Sequence, residues 1–230
     1  MFIDPLYVVL LVPITLLSLG ASWATRSRFE AWARVPNRRG VTGAQVARFL
    51  LERAGLHDVA VVPSHGGMLS DHYDPVRRVV RLSPTVYHGG SVSALAVAAH
   101  ETGHALQHAE GYLPLALRNL AVPVASLGSN VGMFFIFLGA LLAFTQLLWL
   151  GILLFSATVL FQVITLPVEF DASARARRLL DEWSLELSGE RRGVQAVLGA
   201  AAMTYVAAAL GGIATLAYYV LRASDDRSRA

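Results

Sequence analysis

Charged and apolar positions segregate sharply along this chain. Three stretches carry no Asp, Glu, Lys or Arg: Pro5–Thr25, Asn119–Val168 and Gly193–Leu221. A helix rises about 1.5 Å per residue and needs about 20 apolar residues to cross roughly 30 Å of hydrocarbon. The first stretch therefore predicts one span. The second holds 50 residues and would run about 75 Å as one helix, so it predicts two antiparallel helices turning near Phe144–Gln146. The third predicts a fourth span or a membrane-associated helix, because Gln195, Thr204, Tyr205, Gly211 and Gly212 dilute its apolar character. Gly128 and Gly132 in the second span suit close helix packing.

Between the first two spans the pattern is that of a small folded lobe. Thr42 is placed to cap a helix that runs through Gln45, Val46, Phe49 and Leu50 to about Ala54 and stops at Gly55. Val59–Val62 predicts a short strand, and Met68–Asp71 with Val76–Leu82 predicts a hairpin around His72-Tyr73-Asp74-Pro75. After Gly89-Gly90, Ser91 or Ser93 is positioned to cap a further helix, rich in small residues, that ends near Gly111.

Composition supports a lipid environment. Of 230 residues, 55% are hydrophobic and 15% charged, against about 25% charged in an ordinary soluble domain. The absence of cysteine excludes disulfides and every thiolate-ligated metal centre. All 19 basic residues are arginine, and no arginine stripe interleaves with aromatics, which argues against nucleic-acid binding. Eleven arginines lie between spans one and two and five between spans three and four, whereas Met1–Asp4 and the turn within the hairpin have none. The positive-inside rule puts both arginine-bearing segments in the cytoplasm and both termini outside, with Arg222, Arg227 and Arg229 of the tail as a small counterweight. A cleaved signal peptide fits poorly, since the first four residues lack a positive charge. The expected location is the cell membrane.

Chemistry concentrates in His100-Glu101-Thr102-Gly103-His104. Residues four apart on a helix share a face, so both imidazoles can reach one ion, and Glu101 stands beside it. Zinc accepts such nitrogen ligands, lowers the pKa of bound water and polarises a carbonyl, while a glutamate takes the proton. The pattern points to peptide hydrolysis with Glu101 as general base. A catalytic site needs a third protein ligand. His108 lies eight residues past His100, about 12 Å along the axis, too far to share the ion. The position six residues past His104 is Glu110, so the three-histidine version of the motif fails. Glu169, where the third span emerges, is the expected third ligand, with Asp171 as the alternative. The bland reading of Glu169 pairs it with Arg175 or another arginine. Tyr205, His72 and His88 are candidate oxyanion donors, and the Val76–Leu82 strand is a candidate for aligning a substrate by strand addition.

Several segments resemble membrane zinc metallopeptidases of the YugP type: Leu69-Ser-Asp-His-Tyr-Asp-Pro75, Val80-Arg-Leu-Ser-Pro84, Tyr87-His-Gly89, the helix from Ala94 through His104, Leu166-Pro-Val-Glu-Phe-Asp-Ala-Ser173, and Leu198–Leu210. The likeness covers nearly the whole chain. More distantly, the order of motif, membrane hairpin and glutamate is similar to the HtpX-like and CAAX-prenyl membrane proteases, which are gluzincins. The resemblance implies His100 and His104 as ligands, Glu101 as base and Glu169 as third ligand. It departs at Ser173, where gluzincins usually carry an aspartate that orients a ligand histidine.

The expected fold is a mainly α membrane protein with four transmembrane helices and a small α+β, zincin-like cytoplasmic lobe. It forms one integrated unit: residues 5–25 as the first span, 26–118 as the lobe, 119–168 as the hairpin, 169–192 as a third-ligand helix, 193–221 as the fourth span or membrane-associated helix, and 222–230 as a tail. The expected function is zinc-dependent hydrolysis of peptide or protein substrates at the cytoplasmic face of the bilayer. The rival is a non-catalytic, zinc-stabilised scaffold or partner-binding protein, which would have no use for Glu101.

Overall fold

The computed structural model describes residues 5–186 and 189–228. Met1–Asp4 and Arg229, which enter the charge count above, lie outside them. Eight α-helices and three strands follow in order: α1 Pro5–Ala33, α2 Gly43–Arg53, β1 Ala60–Pro63, β2 His72–Asp74, β3 Val79–Leu82, α3 Pro84–Tyr87, α4 Val92–Ala109, α5 Leu113–Leu127, α6 Met133–Leu141, α7 Thr145–Glu182 and α8 Arg191–Ser228. A π-helical turn, Gly128–Gly132, joins α5 to α6 without a break. Four of the helical stretches are long and apolar enough to cross a membrane: Pro5–Ala33, Leu113–Leu141, Thr145–Glu182 and Arg191–Asp225. The protein is a mainly α membrane protein.

Two helices run further than their apolar stretches. The first span ends at Thr25 by charge, yet α1 continues to Ala33, because Arg26, Arg28 and Glu30 end the hydrophobic run without breaking helical geometry. The third span and the segment that carries Glu169 are one helix, α7, with Pro167 inside it. In α8 the helix likewise passes through Gly211 and Gly212 without interruption.

The chain divides into two compact units. The first takes Ala116–Pro167 with the N-terminal part of α1 and the C-terminal part of α8. Ile136 of α6, Leu148, Ile152, Phe155 and Val159 of α7, and Ala223 of α8 are buried together in it. Glycines set its helix spacing: a Cβ on Gly132 would lie 2.9 Å from the Phe155 nitrogen, and one on Gly128 would collide with the Leu154 carbonyl. Leu120, Phe137 and Leu153 remain exposed, as lipid-facing side chains must be.

The second unit comprises Ser22–Leu115 and Val168–Met203. Its α2 starts with a capping box, in which Thr42 Oγ1 accepts from the Gln45 N–H and the Gln45 side chain accepts from the Thr42 N–H. Gly55, at φ +72°, supplies the left-handed residue that ends it. The sheet order is β1-β3-β2, with β1 parallel and β2 antiparallel to β3. Leu50 of α2, Val80 and Leu82 of β3 and Leu95 of α4 are fully buried, and Phe29 of α1, Leu180 of α7 and Val194 and Leu198 of α8 join them. Each such leucine contributes about 1.5–3 kcal/mol by leaving water.

The hairpin differs from the sequence expectation. Its first arm is His72–Asp74, not Met68–Asp71, and the turn falls at Pro75–Arg78. Asp74 explains the shift: its Oδ1 accepts from the N–H groups of both Val76 and Arg77, a local cap that starts the turn one residue before Pro75. The placement of β3 also corrects an expectation. As the central strand of three it has no open edge, so it has no free backbone groups for a substrate.

Candidate active site

Ser91 caps α4, its side chain accepting from the Ala94 N–H. The helix then carries His100, Glu101 and His104 into the second unit. His104 and Glu101 are buried, and His100 is partly so. The two rings pack edge to face with centroids 4.7 Å apart. From α7, Glu169 meets them: its Oε2 lies 3.3 Å from His100 Nε2 and 3.6 Å from His104 Nε2. The three donor atoms all lie within 4.8 Å of one another. Among the described residues this is the group of histidine and acidic side chains that could hold a metal ion.

Close approach of α4 and α7 depends on Gly103. A Cβ there would sit 2.7 Å from the Ala172 carbonyl oxygen and 3.3 Å from the Ala172 Cα, closer than side-chain carbons pack against backbone. The glycine inside the motif thus brings the Glu169 helix within reach.

The outer nitrogens of both histidines are occupied. His100 Nδ1 lies 3.2 Å from Ser173 Oγ, one turn beyond Glu169 on α7. Ser173, the position at which the resemblance expected an aspartate, thus brings a hydroxyl without a charge to the His100 imidazole. His104 Nδ1 lies 3.0 Å from Gln107 Oε1. Sequence reasoning missed Gln107, whose one available signal was its place three residues after His104, on the same helical face.

Burial pushes the Glu101 carboxyl above the usual carboxylate range, and attraction to His100 and His104 partly offsets this. For His104, burial disfavours the charged form, but the hydrogen bond and charge of Glu169 together with the charge of Glu101 raise its pKa on balance.

Other candidates are placed elsewhere. Asp171 belongs to a different set of contacts, accepting from Gln107 Nε2 at 2.8 Å and Arg175 Nε at 2.6 Å. Arg175 pairs with Asp171 and Glu110, while Glu169 pairs with the histidines. His108 Nδ1 meets the Tyr73 hydroxyl at 2.8 Å. His72 is exposed with Nδ1 2.9 Å from the Ser70 carbonyl oxygen, His88 stacks edge-on against Tyr87, and Tyr205 lies on α8.

The profile of the family described as "Putative neutral zinc metallopeptidase" matches residues 7–224. The chain belongs to this family. It is also 48% identical over 216 residues to the "Putative membrane protease YugP" of Bacillus subtilis (strain 168), an alignment covering 94% of this chain and 96% of that protein. No solved structure matches the chain. The family match spans the α4 motif and Glu169 alike.

Proposed function

We propose that this protein is a membrane zinc peptidase in which His100, His104 and Glu169 hold the metal and Glu101 is the general base. The observation that carries the reading is the meeting of three donors from two separate helices within 4.8 Å, two imidazole nitrogens and one carboxylate oxygen. That donor set suits zinc and leaves a coordination position open. Such an ion, when bound, polarises the scissile carbonyl and acidifies water.

The protein's own groups supply the remaining chemistry. Glu101 adjoins a ligand histidine, and burial raises its proton affinity above that of a free carboxylate. It takes the proton from the attacking water and delivers it to the leaving amine. With a metal held at Nε2 of each histidine, Nδ1 would carry the proton and donate outward, to Ser173 from His100 and to Gln107 from His104. The sheet leaves β2 as an edge strand, and Tyr73 of β2 is tied to His108 of the same α4 helix. An extended substrate pairing with that edge would run beside the motif. Peptide segments of membrane-associated or loosely folded proteins are the substrates this arrangement suits, and the arginine distribution supports a site on the cytoplasmic side.

The test compares the purified parent with Glu101→Gln, His100→Ala and Glu169→Ala for zinc content and for cleavage of an unfolded protein substrate. Glu101→Gln is expected to keep zinc and lose cleavage, His100→Ala to lose both, and Glu169→Ala to lose zinc occupancy. Equal cleavage by the parent and Glu101→Gln would reject the mechanism.

A further inference from the structure

Gln107 is a fully buried amide in the last part of α4. Its Nε2 lies 2.8 Å from the Val168 carbonyl oxygen and 2.8 Å from Asp171 Oδ2. Both partners can only accept, so the NH2 end of the amide must face them. The carbonyl end is thereby turned to His104 Nδ1, 3.0 Å away. A carbonyl oxygen can only accept, which requires a proton on His104 Nδ1 and makes Nε2, on the Glu169 side, the nitrogen that would bind a metal.

The same amide also reaches the other helix at a decisive place. Val168, whose carbonyl it holds, is the residue immediately before Glu169. One side chain thus sets the proton position of His104 and ties α4 to the backbone that presents Glu169. Asp171 fixes which way the amide points, and it is itself held by Arg175, whose guanidinium spans to Glu110 at the C-cap of α4 and lies over the Tyr112 ring.

We infer that Gln107 is the positioning residue of the site, setting the tautomer of His104 and its register against Glu169, with Asp171 as the group that orients the amide. This deepens the zinc-peptidase reading and rests on it. It assigns Asp171 a place outside the metal's ligands. It also gives the two histidines unequal support, a neutral hydroxyl for His100 and an amide–carboxylate–guanidinium chain for His104.

The experiment uses the full-length protein in detergent. Zinc affinity is measured by competition with a chromogenic chelator, the cobalt(II)-substituted protein gives an electronic spectrum, and thermal unfolding is followed without metal. Gln107→Met keeps the length of the side chain and loses the hydrogen bonds. It is expected to bind zinc about 10–100-fold more weakly and to change the cobalt spectrum. Asp171→Asn retains an oxygen acceptor and is expected to stay near the parent, whereas Asp171→Ala is expected to move toward Gln107→Met. If Gln107→Met does not fold, the Asp171 pair carries the test, since that side chain is partly exposed. Parental affinity and spectrum in both Gln107→Met and Asp171→Ala would overturn the inference. So would an Asp171→Asn protein that loses zinc as completely as His104→Ala. Failure of the peptidase reading looks different: the parent itself would then bind no zinc, or Glu101→Gln would cleave as the parent does.

Discussion

Gly103 of α4 faces the carbonyl oxygen of Ala172 on α7 so closely that a methyl group on the glycine would lie 2.7 Å from it. The contact stands one residue before a metal-binding candidate on one helix and three residues after another on the other. Substituting alanine has two opposed effects. Helix propensity favours it by about 1 kcal/mol, while overpacking a dense contact costs about 1–3 kcal/mol. Backbone is the obstacle here, not a flexible side-chain tip, so the cost prevails. Gly103→Ala is expected to lower thermal stability and to weaken zinc binding by moving Glu169 away from the histidines. Unchanged stability and unchanged zinc titration would show that the helices can part without consequence.

Ser173 offers a second, milder perturbation. Its hydroxyl lies 3.2 Å from His100 Nδ1 and is buried. Ser173→Ala removes the acceptor and is expected to weaken zinc binding about tenfold. Ser173→Asp places a carboxylate against the same nitrogen, raising the basicity of the imidazole, and is expected to bind zinc more tightly than Ser173→Ala. Chelator competition on the three proteins decides this, and indistinguishable affinities would remove Ser173 from the site.

Much of this architecture was legible in sequence because its causes are local or topological. Four-residue spacing places His100 and His104 on one face of any helix, and the uncharged stretch of 50 residues has to fold back on itself. That return is what made Glu169 a candidate, and it now lies against both rings. The strand arrangement was harder to read. The pairing of β1 with β3 joins residues nearly twenty positions apart with β2 between them in the chain, and no periodicity in either strand announces which neighbour it will choose. Gln107 was hidden for another reason. A glutamine near a helix end has the pattern of a solvent-facing residue, and only the positions of Val168 and Asp171 reveal that it is buried and bonded at both ends.

Asp71, within the segment resembling the YugP-type proteins, carries a stability prediction with a pH sign. It accepts from the Ser83 N–H at 2.7 Å and from the Ser83 hydroxyl at 3.1 Å, tying the loop before β2 to the end of β3. Burial nevertheless raises its pKa above the usual value, outweighing those hydrogen bonds. The folded state therefore holds the proton more tightly than the unfolded one, so ionised Asp71 costs stability that is regained as pH falls through its folded-state pKa. Asp71→Ala is expected to lose about 1–3 kcal/mol by stranding the Ser83 groups. Asp71→Asn keeps an acceptor and is expected to lose less. Its stability relative to the parent should be best at neutral pH and decline on acidification, as measured by thermal unfolding from pH 7 to pH 4. A relative stability that improves on acidification would contradict the sign.

Orientation in the bilayer rests on arginine alone and is testable because the chain has no cysteine. Eleven arginines occupy the segment between the first two spans, and none lies in the turn between α6 and α7. Holding that many charges on the outer side would oppose the bias that sets membrane topology. A single cysteine at Glu52, exposed at the end of α2, is expected to react with a membrane-impermeant maleimide only after cells are permeabilised. A cysteine at Leu142, exposed in the turn after α6, is expected to react in intact cells. The reverse pattern would put His100, His104 and Glu169 on the outer side. Substrates would then have to be sought among exported proteins, with the proposed chemistry of the site unchanged.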